Sequence, residues 1–204
     1  MSDALKLLQE KCGCKPDGSF GPNTARAIVQ HYDLSPEEGA HLLGQVVHET
    51  GSFKYMKENL NYSVEAMMKV WPSRFPTEES AEPYARNPKA LAEKVYFGRM
   101  GNDTPSMASL YIGRGAIMIT GYDNVKAFAA DMGKPEVIND PSLLEKEYAF
   151  DTAIWFFNSN GLFKLAREGV TDDVIKKITK RVNGGYTGLD HRNKETKKIH
   201  KWLS

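Results

Sequence analysis

The 204-residue chain has little cysteine, no long apolar run and a formal net charge of only +1. Its two cysteines, Cys12 and Cys14, sit together in "KCGCK". A bridge between residues two apart would close a small, strained ring. Two thiols with no Cys/His pair at ligand spacing do not make a zinc site, so they read as reduced thiols of a cytoplasmically made protein. No stretch approaches the roughly 18 apolar residues of a membrane span. The opening "MSDALKLLQEKCGC" is too polar for the apolar region of a secretory signal. The expectation is therefore a chain with no signal peptide and no stable membrane insertion. Internal repeats, low-complexity tracts and clear strands are also missing, which argues against a parallel sheet built from alternating strands and helices. The pair His48-Glu49 invites a zinc-protease helix, but that motif needs a second histidine where Ser52 stands. His41 and His48, seven apart on one helix face, read as polar-face or packing residues.

What is present is enough for one substantial core, with 41% hydrophobic and 26% charged residues. The charge is uneven. Residues 164–204 carry eleven Lys/Arg and five Asp/Glu, a net of +6 against −5 for the remainder. A basic end of this kind meets an anionic polymer or membrane surface, or is simply a solvated helix face, and the pattern leaves both open. Helical spacing runs through "DALKLLQEK" and "NTARAIVQHY". Ser35, Pro36 and Glu38 form a capping-box signature for a helix that stops at Gly51. Further helices are expected after Ser63, in "TEESAEPYA", in "PKALAEKVYFGRM" and in "DNVKAFAADMG". A long one is expected in "PSLLEKEYAFDTAIWFFNSNGLFKLA", broken at Asn160-Gly161, followed by "TDDVIKKITKRVN" and "DHRNKETKKIHKWL". Residues 98–116 hold four glycines and a proline and read as irregular.

The segment "VVHETGSFKYMKENLNYS" carries two glutamates in contrasting settings. Leu42, Val46 and Glu49 fall at i, i+4 and i+7, so Glu49 continues an apolar stripe and occupies the last turn of its helix. Desolvation and the helix dipole there both favour a protonated carboxyl, which is what a general acid needs. A glutamate swung out to solvent is the alternative. Glu58 instead lies among Lys57, Asn59, Asn61, Tyr62 and Ser63, polar company that keeps a carboxylate ionised. Pairs of carboxyls driven apart in this way divide acid and base roles, as glycoside hydrolysis requires. In "YIGRGAIMITGYDN", small residues around Arg114 and Thr120 let a ligand approach the backbone, or simply make a turn. Trp155, Phe156 and Phe157 read as core. Asn183 before Gly184-Gly185 has ordinary helix-ending chemistry.

These segments together resemble glycoside hydrolase family 19, the chitinase and lysozyme group, and within it the bacteriophage endolysins of Gram-negative hosts. The resemblance runs over nearly the whole chain from about Leu34. "HETGSF" is similar to the family's acid-bearing segment and so implies Glu49, while "ENLNYS" implies Glu58 as the second carboxylate. "YIGRGAIMITGYDNV" resembles "GRGPIQLT", which makes Thr120 the hydroxyl that positions the attacking water. By the same resemblance His48, Asn61, Tyr62, Tyr96, Arg99, Arg114, Asn183 and Arg192 are substrate-binding candidates. Met118 stands where the family usually has Gln, and Ala116 where it usually has Pro. The N-terminal "DGSFGPNTARAI" is similar to the signature of small peptidoglycan-binding modules.

The resemblance implies a mainly α, lysozyme-like, two-lobed helical domain with a central cleft. It would span residues 1–204 as one catalytic domain, with 1–34 integrated into it and roughly 64–110 as a smaller helical lobe. The implied reaction is inverting hydrolysis of β-1,4 bonds between N-acetylmuramic acid and N-acetylglucosamine in peptidoglycan. Glu49 would act as acid and Glu58 as base, and inverting enzymes hold such carboxyls roughly 6.5–9.5 Å apart. The expected partners are peptidoglycan glycan strands, without nucleic acid, metal or organic cofactor, and a monomer is expected. A chain of this kind would be made in the host cytoplasm and reach the wall after release by a separate pore-forming protein. A chitinase of the same family, a non-catalytic wall-binding protein and a lytic transglycosylase remain as alternatives.

Overall fold

Side-chain caps written into the sequence start six of the thirteen α-helices among the described residues of the computed structural model, which describes residues 3–204. In chain order the α-helices are α1 Asp3–Lys11, α2 Pro22–His31, α3 Pro36–Glu49, α4 Val64–Val70, α5 Glu78–Ala81, α6 Pro88–Tyr96 and α7 Pro105–Leu110. They continue as α8 Tyr122–Met132, α9 Glu136–Asn139, α10 Asp151–Ser159, α11 Leu162–Ala166, α12 Asp172–Asn183 and α13 Leu189–Leu203. The expected capping box of α3 forms in full, with Glu38 N–H donating to Ser35 Oγ and Ser35 N–H donating to the Glu38 carboxylate. Ser63, Thr77, Asn87, Thr104 and Thr171 cap α4, α5, α6, α7 and α12, each accepting from the backbone N–H three residues on, and Thr77 with Ser80 completes a second capping box. Extended pairing among the described residues is confined to isolated bridges, Lys57 with Arg114 and Arg114 with Ile119. The protein is thus mainly α-helical, as expected.

The chain divides into two units. The first gathers the described residues up to Met56 together with Gly115–Met118 and Ser142–Ser204. Its core is built around α3, whose Leu42, Leu43 and Val46 are fully buried with Ile28, Phe53, Phe157, Ile178 and Ile199. Helix α13 packs along α3, and Gly44 makes the approach possible. A Cβ at Gly44 would lie 2.1 Å from Thr196 Oγ1 and 2.9 Å from Thr196 Cα. Elsewhere in this unit Asp151 accepts from Lys11 Nζ at 2.8 Å and from the Tyr32 hydroxyl at 2.8 Å, tying α1 and α2 to α10. Burial and the Asp151 carboxylate push the Tyr32 phenol far above its ordinary range. The second unit comprises Lys57–Arg114 and Ile119–Pro141. It has its own core of Leu60, Met67, Phe75, Ala81, Leu91, Ala92, Val95 and Ile112.

Two expectations need correction. Residues 98–116 are not wholly irregular, because α7 forms at Pro105–Leu110. Thr104 accepts from Met107 N–H, and Pro105 opens the first turn. That Thr-Pro start signal was masked by the surrounding glycines. The long helix from Pro141 does not form either. A 3-10 turn covers Pro141–Glu145, and the α-helix begins only at Asp151. The carbonyl of Ala149 accepts from Ala116 N–H at 2.9 Å and from the Thr152 hydroxyl at 2.7 Å instead of from Ala153 N–H, so no helical bond runs from it into α10. Ala116 N–H also reaches Thr152 Oγ1 at 3.0 Å. A proline at 116 would have no N–H to make these bonds.

Among the described residues, five of the eleven Lys/Arg of the basic end are held in ion pairs. Arg167 pairs with Glu38, Lys177 with Asp173, Lys197 with Asp172, Lys198 with Glu195, and Arg192 with Glu49. The exposed pairs, Lys177 with Asp173 and Lys197 with Asp172, contribute little to stability, typically about 0–1 kcal/mol each, whereas Arg192 is buried.

Gly44→Ala tests the α3–α13 contact. Alanine gains roughly 0.8–1.0 kcal/mol of helix propensity over glycine. The overlap with Thr196 costs about 1–3 kcal/mol. A net loss of up to about 2 kcal/mol is expected in urea unfolding. Adding Thr196→Ala should restore only part of it, because the Thr196 Cα would still crowd the new methyl.

Candidate active site

Helix α3 ends on Glu49, and the backbone then turns away sharply. Gly51, Ser52 and Phe53 have φ of +58°, +63° and +65°, left-handed conformations that cost a non-glycine residue. Local bonds and burial hold them there. Thr50 Oγ1 accepts from Phe53 N–H at 2.7 Å and donates to Val46 O at 2.6 Å, while Ser52 N–H reaches Val47 O at 2.8 Å. The Phe53 ring is fully buried. "HETGSF" is therefore a rigid helix exit with Glu49 at its tip.

Glu49 does not sit in an apolar setting, contrary to the expectation from its stripe. Leu42 and Val46 are indeed buried, but Glu49 Oε1 accepts from Arg192 Nη2 at 2.6 Å. The Arg192 side chain is 1% exposed and the Glu49 side chain 20%. Arg192 also donates through Nη1 to Gln45 Oε1 at 2.6 Å and through Nε to Thr187 O at 3.1 Å. Gln45, itself fully buried, donates through Nε2 to Thr179 Oγ1 at 3.2 Å. The stripe rule cannot find this arginine, which arrives from α13, 143 residues along the chain.

The half-buried His48 lies beside this pair. Its Nδ1 is 3.1 Å from Nδ1 of His191, and burial followed by the Arg192 charge lowers its pKa. Gly188, at φ +71°, lets the chain pass over that ring, since a Cβ there would lie 2.0 Å from His48 Cε1. Asn183 ends α12, is exposed, and accepts from Thr187 N–H at 3.3 Å. It therefore shapes the loop that gives Arg192 its carbonyl partner.

In the second unit Glu58 has partners other than those its neighbourhood suggested. Its Oε2 accepts from the Tyr96 hydroxyl at 2.7 Å and its Oε1 from Gly113 N–H. Its own N–H donates to Gly113 O at 2.9 Å. Burial, then the Glu58 carboxylate, pushes the Tyr96 phenol well above its ordinary range, so the hydroxyl remains a donor. A Cβ at Gly113 would lie 3.1 Å from Thr120 Oγ1 and 3.3 Å from Glu58 Cδ. The Thr120 hydroxyl and the Glu58 carboxylate thus flank the same bare backbone.

The polar residues next to Glu58 in sequence do other work. Asn61 is exposed, donates its N–H to Asn59 Oδ1 at 2.9 Å and accepts from Arg86 at 3.2 Å through its carbonyl. Ser63 caps α4, and the Tyr62 ring packs on Trp71 at 5.1 Å. Arg114 is buried, and its Nη1 donates to the carbonyls of Leu110 and Ile112, where α7 ends. Arg99 is exposed and donates to Val95 O at 3.3 Å. Sequence reasoning missed Gln45, Gly113 and the fully buried Asn102. Asn102 donates to Tyr96 O at 3.3 Å and accepts from Tyr122 N–H at 3.2 Å, which joins the Glu58 partner to the segment carrying Thr120. Asn102 had a faint signal, lying between glycine-rich "GRMG" and a Thr-Pro helix start.

No family model matches the sequence. A glycosyl hydrolase family 19 domain-containing protein of Haemophilus influenzae is 34% identical over 157 residues, covering 76% of this chain and 74% of that protein. An endochitinase of Arabidopsis thaliana is 27% identical over 180 residues, which is 85% of this chain and 50% of that protein. The crystal structure of a chitinase C mutant shares the fold, with a TM-score of 0.54 at 17% identity over 98% of this chain and 91% of that one.

The Arg192 environment generates a stability test. Glu49→Leu leaves a buried guanidinium without its carboxylate and should lower unfolding stability by roughly 3 kcal/mol. Glu49→Gln keeps an acceptor oxygen in the same place and should cost less than half as much. Equal losses from both variants in thermal and urea unfolding would show that the carboxylate charge is unimportant to the fold.

Proposed function

Because this chain belongs to glycoside hydrolase family 19, we propose that it hydrolyses β-1,4 bonds between N-acetylated sugars, with bacterial peptidoglycan as its polymer. The observation that carries the reading is the setting of Glu58, whose two oxygens are held by Tyr96 and Gly113 beside the Thr120 hydroxyl. A carboxylate has about four lone-pair sites, more than Tyr96 and Gly113 fill, so it can also accept from a water. In this mechanism Glu58 is the base, and Thr120 accepts or donates a second hydrogen bond that aims the water at the anomeric carbon. Glu49 in its protonated form gives its proton to the glycosidic oxygen, and Arg192, which favours the ionised form, offsets the negative charge that this leaves behind. Attack opposite the leaving group inverts the anomeric centre.

Peptidoglycan rather than chitin is favoured by three sequence features: Met118 in place of the family's Gln, the short connection between the carboxylates, and the wall-module signature at the N-terminus. On this reading the protein is a phage endolysin that meets the wall once a separate pore-forming protein opens the way. A chitinase is the second reading, favoured by the names of the Arabidopsis endochitinase and of chitinase C.

Digestion of purified peptidoglycan and of chitin oligomers, with mass spectrometry of the new ends, separates these readings. A reducing end on N-acetylmuramic acid marks a muramidase, and one on N-acetylglucosamine a glucosaminidase. Anhydro-muramyl ends would instead mark a transglycosylase, and turnover of chitin oligomers alone a chitinase. Glu49→Gln and Glu58→Gln should each lower kcat by about 10²–10⁴-fold, the usual contribution of acid–base groups. Thr120→Ala should lower kcat with little change in KM, and Thr120→Ser should restore much of it. Nuclear magnetic resonance of the first product should show the α-anomer, and an initial β-anomer would eliminate inversion.

A further inference from the structure

Gln45 is a fully buried polar side chain, one helical turn before Glu49 on α3. Its hydrogen-bond roles follow from its partners. A guanidinium only donates, so the oxygen of the Gln45 amide faces Arg192 Nη1, at 2.6 Å. That orientation sends Nε2 to Thr179 Oγ1, at 3.2 Å, where the hydroxyl oxygen accepts. The amide is thereby fixed at both ends by α12 and α13. The fork of Arg192 is fixed in turn, with Nη1 on Gln45, Nε on Thr187 O and Nη2 on Glu49.

We propose that Gln45 is a positioning residue of the reaction: its neutral amide, braced by Thr179, sets the Arg192 guanidinium so that Nη2 addresses Glu49 alone. This rests on the assignment of Glu49 as the acid made above. The neutrality of the amide matters as much as its shape. Glu49 is the carboxylate that Arg192 meets in this network, and the rings of His48 and His191 lie beside it. A carboxylate at 45 would share the guanidinium and weaken its hold on Glu49. An apolar residue at 45 would leave one arm of the fork without an acceptor and free the guanidinium to turn.

The test compares Gln45→Glu, Gln45→Met, Thr179→Val and Thr179→Ser with the parent, on whichever polymer the parent cleaves. Gln45→Met should lower kcat about tenfold with KM nearly unchanged, since a misdirected fork affects the acid and not the substrate contacts. Gln45→Glu should move the high-pH limb of kcat/KM upward by about one pH unit, because a second negative charge beside Arg192 lets the acid keep its proton longer. Thr179→Val should give a weaker form of the Gln45→Met result and Thr179→Ser should match the parent, while circular dichroism verifies that each variant is folded. Should Gln45→Met unfold, the Thr179 pair still decides the question. Parent-like kcat in the folded variants together with an unmoved limb in Gln45→Glu would overturn the proposal and leave Gln45 as a core polar residue. Failure of the substrate reading looks different, since the parent would then cut neither polymer. In that event ¹³C titration of the Glu49 carboxyl carries the test: an upward move in Gln45→Glu supports the proposal, and no move overturns it.

Discussion

A buried guanidinium is expensive unless every arm finds an acceptor, and Arg192 imposes that demand on the first unit. The effective cost of burying one ion is several kcal/mol, so a mostly buried pair persists only with good geometry and further hydrogen bonds. Here the acceptors come from two turns of α3, through Gln45 and Glu49, and from the loop before α13, through Thr187. Those bonds require α3 and α13 to lie close. The contact of Gly44 with Thr196 permits the closeness, and Gly188 lets the chain turn into α13 over the His48 ring. Packing and electrostatics are thus solved by the same few residues.

The second unit answers the same kind of problem with backbone. Glu58 is held by the N–H of a glycine and by one tyrosine hydroxyl, without a cation among those donors. A side chain at Gly113 would crowd both Glu58 and Thr120. Asn102 then locks Tyr96 and the start of α8 together. The two glutamates therefore differ in environment, as their sequence surroundings suggested, but through different agents: an arginine for Glu49, and neutral donors for Glu58.

Departures from family expectation have local compensation. Ala116, where the resemblance implies proline, uses the N–H that proline lacks to bond Ala149 O and Thr152 Oγ1. That bonding also breaks the helical bonding just before α10. The left-handed run of Gly51, Ser52 and Phe53 stores strain directly after Glu49, and Thr50 with the buried Phe53 ring holds it in place. Strain of this kind next to a chemical group keeps that group in one geometry.

By itself, the sequence determined the helical character, the capping box at Ser35, the glycine stop after Glu49, the two glutamates and the glycine-rich Thr120 segment. Each of these is written in contacts between residues a few positions apart, which spacing and cap chemistry report directly. It could not determine the partners of the glutamates. Arg192 reaches Glu49 from 143 residues away, Gly113 meets Glu58 across 55, and Tyr96 across 38. The same holds for the helix expected from Pro141, where Ala116, far back in the chain, takes the carbonyl of Ala149 and so breaks the helical bonding just before α10. Local pattern fixes which residue types stand ready. Tertiary structure alone decides which donor meets which acceptor, because a buried polar group must be satisfied by whatever the fold brings to it.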